Sequence, residues 1–145
     1  MELFVADAFT TRRFSGNQAG VALLGEAEFP EEGFMRALAG ELKHSETTCV
    51  RRLDKDIYHV RYFSPVKEVS LSGHAALGTF WALAERGYID GREETRRIRQ
   101  YTKAGALYVD FHFADEKIRF VDVELPKMEP PSKWRTLPPS PQPLN

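Results

Sequence analysis

Residues 73–84 read Gly73-His74-Ala75-Ala76-Leu77-Gly78-Thr79-Phe80-Trp81-Ala82-Leu83-Ala84. From Ala75 onward the stretch is apolar on nearly every side, with Leu77, Phe80, Trp81 and Leu83 spread around the helical circumference. A helix that is apolar all round has to be wrapped by protein. The fold is therefore expected to have a helix at its centre, and the remaining segments are what can surround it.

Those segments are mostly strands. Residues 2–9 read as one, with Leu3, Val5 and Phe9 alternating with acidic or small neighbours, and Val21–Leu24 is a short apolar strand after a Gly16-Asn17 turn. Pro30 opens a helix, with Glu31 and Glu32 near its positive end. The four-residue recurrence of Phe34, Leu38 and Leu42, with Ala37 beside them, predicts that this helix packs on one face. Thr47–Leu53 and Tyr58–Phe63 read as strands, as do residues of about 95–101, 105–112 and 117–124, the last two joined by an Ala114-Asp115-Glu116-Lys117 hairpin. The run Arg92, Arg96, Arg97, Arg99, broken by Glu93 and Glu94, reads as a solvated edge strand. The sum is an α+β fold: a curved antiparallel sheet around a buried central helix, with a second helix outside and no βαβ repeat.

Composition narrows the function. The 145 residues carry 20 Lys+Arg against 21 Asp+Glu, a net charge of -1, so there is no bulk basic surplus for nucleic acid. A single cysteine, Cys49, excludes an internal disulfide framework and a multi-cysteine zinc site. It lies in an apolar strand, where packing is the expected role. His44, His59 and His112 have no metal-ligand spacing. No apolar run approaches the ~20 residues of a membrane helix. The start MELFVADAFTTRRF lacks the charged and apolar regions of a signal peptide, so a cytoplasmic location is expected. Seven of the nine prolines fall in the last 20 residues. We therefore expect residues 1–125 to be globular and 126–145 to form an extended or disordered tail.

Three short motifs are candidates for chemistry. Phe14-Ser15-Gly16-Asn17-Gln18-Ala19-Gly20 lets backbone turn sharply and come close to a ligand, although Gly-Asn is also ordinary turn chemistry. In His44-Ser45-Glu46-Thr47-Thr48, Glu46 stands at the head of an apolar strand, where a partly desolvated carboxylate suits proton transfer; a surface glutamate would look the same. In Ser72-Gly73-His74-Ala75, free N–H groups at the start of the buried helix make an anion site. Gly73 there lets a carboxylate approach the backbone, and His74 can hold that carboxylate or pass a proton. His74 can equally be a simple capping residue.

Taken in order, DAFTTRRFSGNQAGVALL, ELKHSETTCV and RYFSPVKEVSLSGHAALGTFWAL resemble the phenazine-biosynthesis PhzF-like family, whose fold is shared with diaminopimelate epimerase. The resemblance covers nearly all of residues 1–125. It implies one lobe of a two-lobed isomerase, each lobe a sheet around a central helix, with the active site between the lobes. It implies isomerisation of trans-2,3-dihydro-3-hydroxyanthranilate by proton transfer, without cofactor or metal. By that match Glu46 is the acid/base, Gly73 and His74 contact substrate, and Asn17 faces the cleft. Ser72 stands where the epimerases have a catalytic cysteine, which argues against a two-thiol racemase and leaves Ser72 as a further substrate-binding candidate.

The second lobe of the resemblance is not in these 145 residues. The expected partners are therefore a small carboxylate substrate together with either a second copy of the chain, as a homodimer, or the missing lobe. With one wall of the cleft, weak catalysis or none is expected of the chain alone. The alternative is a non-catalytic protein acting through self-association or partner binding.

Overall fold

The computed structural model describes residues 1–8 and 17–126. Phe9, Gly16 and the expected Pro-rich tail from residue 127 onward lie outside the described residues, as does the side chain of Asn17. The elements run β1 (Glu2–Ala8), β2 (Asn17–Leu23), α1 (Glu32–Leu42), β3 (Glu46–Asp54), β4 (Ile57–Phe63), β5 (Glu68–Val69), α2 (Gly73–Glu85), β6 (Thr95–Thr102), β7 (Gly105–Ala114) and β8 (Lys117–Val123).

The strands form one sheet in the order β1-β2-β3-β4-β6-β7-β8, with β5 paired to the end of β4. The sheet is mixed, not antiparallel throughout. β2 runs parallel to β3, with Ala19 opposite Glu46, and β4 runs parallel to β6, with Tyr58 opposite Gln100. Parallel neighbours need a crossover between them. Here α1 supplies the first, and the β5–α2 segment supplies the second. A second correction follows from the same order. The arginine-bearing strand β6 lies inside the sheet between β4 and β7, and the edges are β1 and β8. Arg96 is paired with Asp56 and Asp90, at 2.7 and 3.1 Å, and Arg97 with Asp110 at 2.7 Å.

α2 packs against β1, β2, β3 and β8, so both edge strands reach it and the sheet is curled around the helix. Ala75, Ala76, Phe80 and Leu83 are fully buried, against Val50, Val60, Tyr62, Val109 and Phe111 of the sheet. Burying each large side chain of this kind contributes about 1.5–3 kcal/mol. The all-round apolar character of residues 75–84 is thus explained by a sheet wrapped about them. One stripe is less covered: His74, Leu77 and Trp81 are only half-buried.

α1 lies on the other face of the sheet, over Ala22, Cys49 and Phe63. Its buried residues are Met35 and Ala39, with Leu38 packed beside them, whereas Phe34 is 49% exposed and Ala37 is also exposed. The inward stripe is therefore rotated by about one residue from the 34–38–42 series. In β1 the inward residues are Phe4 and Ala6, while Leu3 and Val5 are exposed. The hairpin at Ala114–Lys117 is present, with Asp115 and Glu116 at φ 53° and 61°. Two positive φ values in a two-residue loop match the twist of an antiparallel pair.

Candidate functional site

The parallel pairing of β2 and β3 brings two of the three motifs together. Both strands start at the same end of the sheet, so Asn17-Gln18-Ala19 lies alongside the head of β3, where Ala19 is the ladder partner of Glu46. Glu46 shares its face with Thr48 and Val50, and Val50 packs on the side of the sheet that holds α2. The third motif is the first turn of that helix.

The contact between these segments is Glu46 with His74. Glu46 Oε2 lies 3.0 Å from His74 Nε2, and each side chain is 20% exposed. That oxygen is itself shielded from water and is not aligned as a hydrogen-bond acceptor. Two serines hold the imidazole. Ser45 Oγ is 3.3 Å from Nε2, and Ser72 Oγ is 3.3 Å from Nδ1. Ser72 also caps α2, its Oγ accepting the Ala75 N–H at 3.4 Å, while its carbonyl accepts the Ala76 N–H at 2.9 Å. The N–H groups of Gly73 and His74 precede the first residue that can bond within the helix, so they have no partner within it.

Gly73 is not required to be glycine by its own surroundings. A Cβ built there would meet Leu125 Cδ2 at 3.7 Å, an ordinary contact. Beside it, Gly73, His74 and Leu77 line a cleft of about 410 Å³ with Val121, Asp122, Val123 and Leu125. The first turn of α2 therefore opens on a mostly apolar groove along β8.

Of the residues expected from the sequence, the structure brings Glu46, His74, Gly73 and Ser72 into one cluster. Asn17 begins β2 at the same end of the sheet. Ser72 caps the helix and touches the imidazole. Ser45 was not singled out from the sequence, although it adjoins Glu46; it precedes the strand, so alternation along β3 says nothing about its direction. The cleft residues of β8 carried no local signal, because their approach to α2 depends on the curl of the whole sheet. Cys49 is packed between α1 and the sheet, and burial pushes its thiol up to about 12 against the opposing pull of Arg61, a packing role and not a nucleophile.

The sequence profile of the family described as "Phenazine biosynthesis-like protein" matches residues 6–136. The chain belongs to the phenazine biosynthesis-like protein family. Among its relatives, the uncharacterized isomerase YfhB of Bacillus subtilis is 34% identical over 117 residues, covering 81% of this chain and 38% of that protein. The crystal structure of the Bacillus anthracis phenazine biosynthesis protein of the PhzF family matches with a TM-score of 0.68 and 32% identity, over 85% of this chain and 40% of that one. The fold extends further, to a probable proline racemase from Agrobacterium radiobacter solved with bound carbonate, at a TM-score of 0.63 and 16% identity, over 82% of this chain and 39% of that one. This phenazine biosynthesis-like chain spans about two fifths of the length of the relatives it matches. Among its described residues, no helix is long and apolar enough to cross a membrane.

Proposed function

We propose that this chain forms the proton-transferring and anion-holding wall of a cofactor-independent isomerase acting on a small carboxylate. The observation that carries the reading is the Glu46–His74 pair, 3.0 Å apart, at the N-terminus of a central helix that opens on a cleft. An isomerisation breaks one C–H bond and forms another with no net redox change. A single carboxylate can take the proton and return it, serving as base and then as acid. The substrate carboxylate would sit at the Gly73 and His74 N–H groups, where the helix dipole favours negative charge as it develops. The family reaction, isomerisation of trans-2,3-dihydro-3-hydroxyanthranilate, is the first to test.

The test has two parts. Titrating a small aromatic carboxylate into the isotopically labelled chain is expected to move the amide resonances of Gly73 and His74. Incubating the chain with trans-2,3-dihydro-3-hydroxyanthranilate in deuterated water is expected to introduce deuterium slowly, and Glu46→Gln should lower that rate by at least about 10²-fold. Deuterium incorporation that survives Glu46→Gln sinks the assigned role. If neither binding nor incorporation occurs, the second reading takes over. It rests on Leu3 and Val5, which are 47% and 49% exposed on one face of the edge strand β1, a place for a second copy or a protein partner to cover. Sedimentation velocity would then show a mass that rises with concentration.

A further inference from the structure

Ser72 occupies a position read from the sequence as a substrate contact, yet its hydroxyl is already engaged on two sides. It is 8% exposed and begins α2 with φ −128° and ψ 116°, the extended backbone of an N-cap. One lone pair accepts the Ala75 N–H. The remaining neighbour is His74 Nδ1 at 3.3 Å. A serine has one proton to donate, and among the described residues Nδ1 is the acceptor within reach of it. If Nδ1 carried a proton instead, the buried Ser72 O–H would have no acceptor there, and buried donors without partners are rare.

The other end of the ring leads to the same assignment. Nε2 lies 3.0 Å from Glu46 Oε2, and an ionised carboxylate only accepts. Its second neighbour, Ser45 Oγ at 3.3 Å, can accept as readily as donate. A proton on Nε2 can go to Ser45 Oγ while standing 3.0 Å from the carboxylate, and a lone pair on Nδ1 satisfies Ser72.

We propose that Ser72 is a positioning residue that fixes His74 as the Nε2–H tautomer, which places the imidazole proton on the side of Ser45 and Glu46. In a metal site the same logic operates, where the bond made by one ring nitrogen decides the state of the other. The consequence is that Glu46 faces a ring N–H and not a ring lone pair. When a substrate carboxylate arrives, that donor can turn to it without a change of protonation. The catalytic meaning rests on the isomerase reading above, whereas the tautomer does not.

The experiment is nitrogen NMR on the full chain with labelled histidine, recorded without any ligand at neutral pH. His74 is expected to show Nε2 as the protonated, pyrrole-type nitrogen and Nδ1 as the bare, pyridine-type one. Ser72→Thr keeps the hydroxyl and the cap, and should leave that pattern unchanged. Ser72→Asp keeps a good N-cap but offers only acceptor oxygens, so Nδ1 should become pyrrole-type while the helix is retained. Ser72→Ala should mix the two tautomers. The proposal is overturned if wild-type His74 is protonated on Nδ1, alone or as imidazolium, or if Ser72→Asp leaves Nδ1 bare in a folded chain. A merely structural cap would leave the ring nitrogens the same in the parent chain and in Ser72→Asp. Failure of the carboxylate titration with the tautomer as expected would remove the isomerase reading and leave this one standing.

Discussion

Gly20 and Gly73 both belong to motifs that read as backbone close to a ligand, and they are glycine for different reasons. A Cβ on Gly20 would stand 2.8 Å from Leu42 Cδ1 and 3.1 Å from Thr47 Oγ1, so that glycine admits the α1 side chain. Gly20→Ala is expected to cost about 1–3 kcal/mol by overpacking, read as a lower denaturation midpoint. At Gly73 the same change meets only an ordinary contact with Leu125. Gly73→Ala should leave stability within about 0.5 kcal/mol of the parent and, on the proposed reading, weaken carboxylate binding by adding a methyl group to the cleft beside Leu125. Loss of binding together with loss of fold would contradict that separation. Glu46, Gly73 and His74 were legible as residues in motifs; their 3.0 Å meeting was not, since Glu46 and His74 belong to segments separated by two strands.

At the scale of elements, the β7–β8 hairpin holds two non-glycine residues, Asp115 and Glu116, in the left-handed region. That conformation is costly for most side chains and suited to Asn-Gly. Replacing Asp115-Glu116 by Asn-Gly should raise stability by about 1 kcal/mol in denaturant titration. The two-residue strand β5 carries a different load. Glu68, whose side chain is 5% exposed, bonds two guanidinium nitrogens of Arg61 at 2.7 and 2.9 Å, and Lys103 stands at 3.3 Å. The Arg61 hydrogen bonds hold the Glu68 carboxyl below the usual glutamate range, outweighing the effect of burial. Its folded value is depressed, so its contribution is present above the unfolded value and is lost as pH falls through the folded one. Stability should therefore fall as pH drops from the ordinary glutamate range toward the folded value, and Glu68→Gln should flatten the dependence across that interval. This strand had no periodic signature, being too short to show one, and it was found only where β4 gave it a partner. α1 shows the limit from the other direction. Its series at 34, 38 and 42 and the buried pair Met35 and Ala39 lie about one residue apart around the helix, and only docking onto Cys49 and Phe63 selects between them.

For the whole molecule, the decisive feature is that the sheet curls without closing. Among the described residues, β1 and β8 are both edges and both touch α2, leaving the His74–Leu77 flank and the β8 groove open. A proton-transfer site gains most from groups fixed around it in a space that excludes water. The residues described here provide one side of such a space. On the proposed isomerase reading, the chain assayed by itself is expected to turn over about 10²–10³-fold or more below a relative of full length, the loss typical of removing preorganised donors. Comparable turnover numbers in a parallel assay would show that one wall suffices.

The central helix, the type of nearly every other element, and the motifs carrying Glu46, Gly73 and His74 were all determined by the sequence alone. These are local properties: a helix apolar on every side and strands of alternating character are written in consecutive residues. Tertiary structure alone decided which strands are neighbours and in which direction they run, because alternation looks the same in parallel and antiparallel ladders. It moved the arginine strand from edge to interior, turned Ser72 toward the imidazole, and set Glu46 against His74. Those outcomes depend on pairings between distant segments, whose energies are fixed only when the sheet has curled around α2.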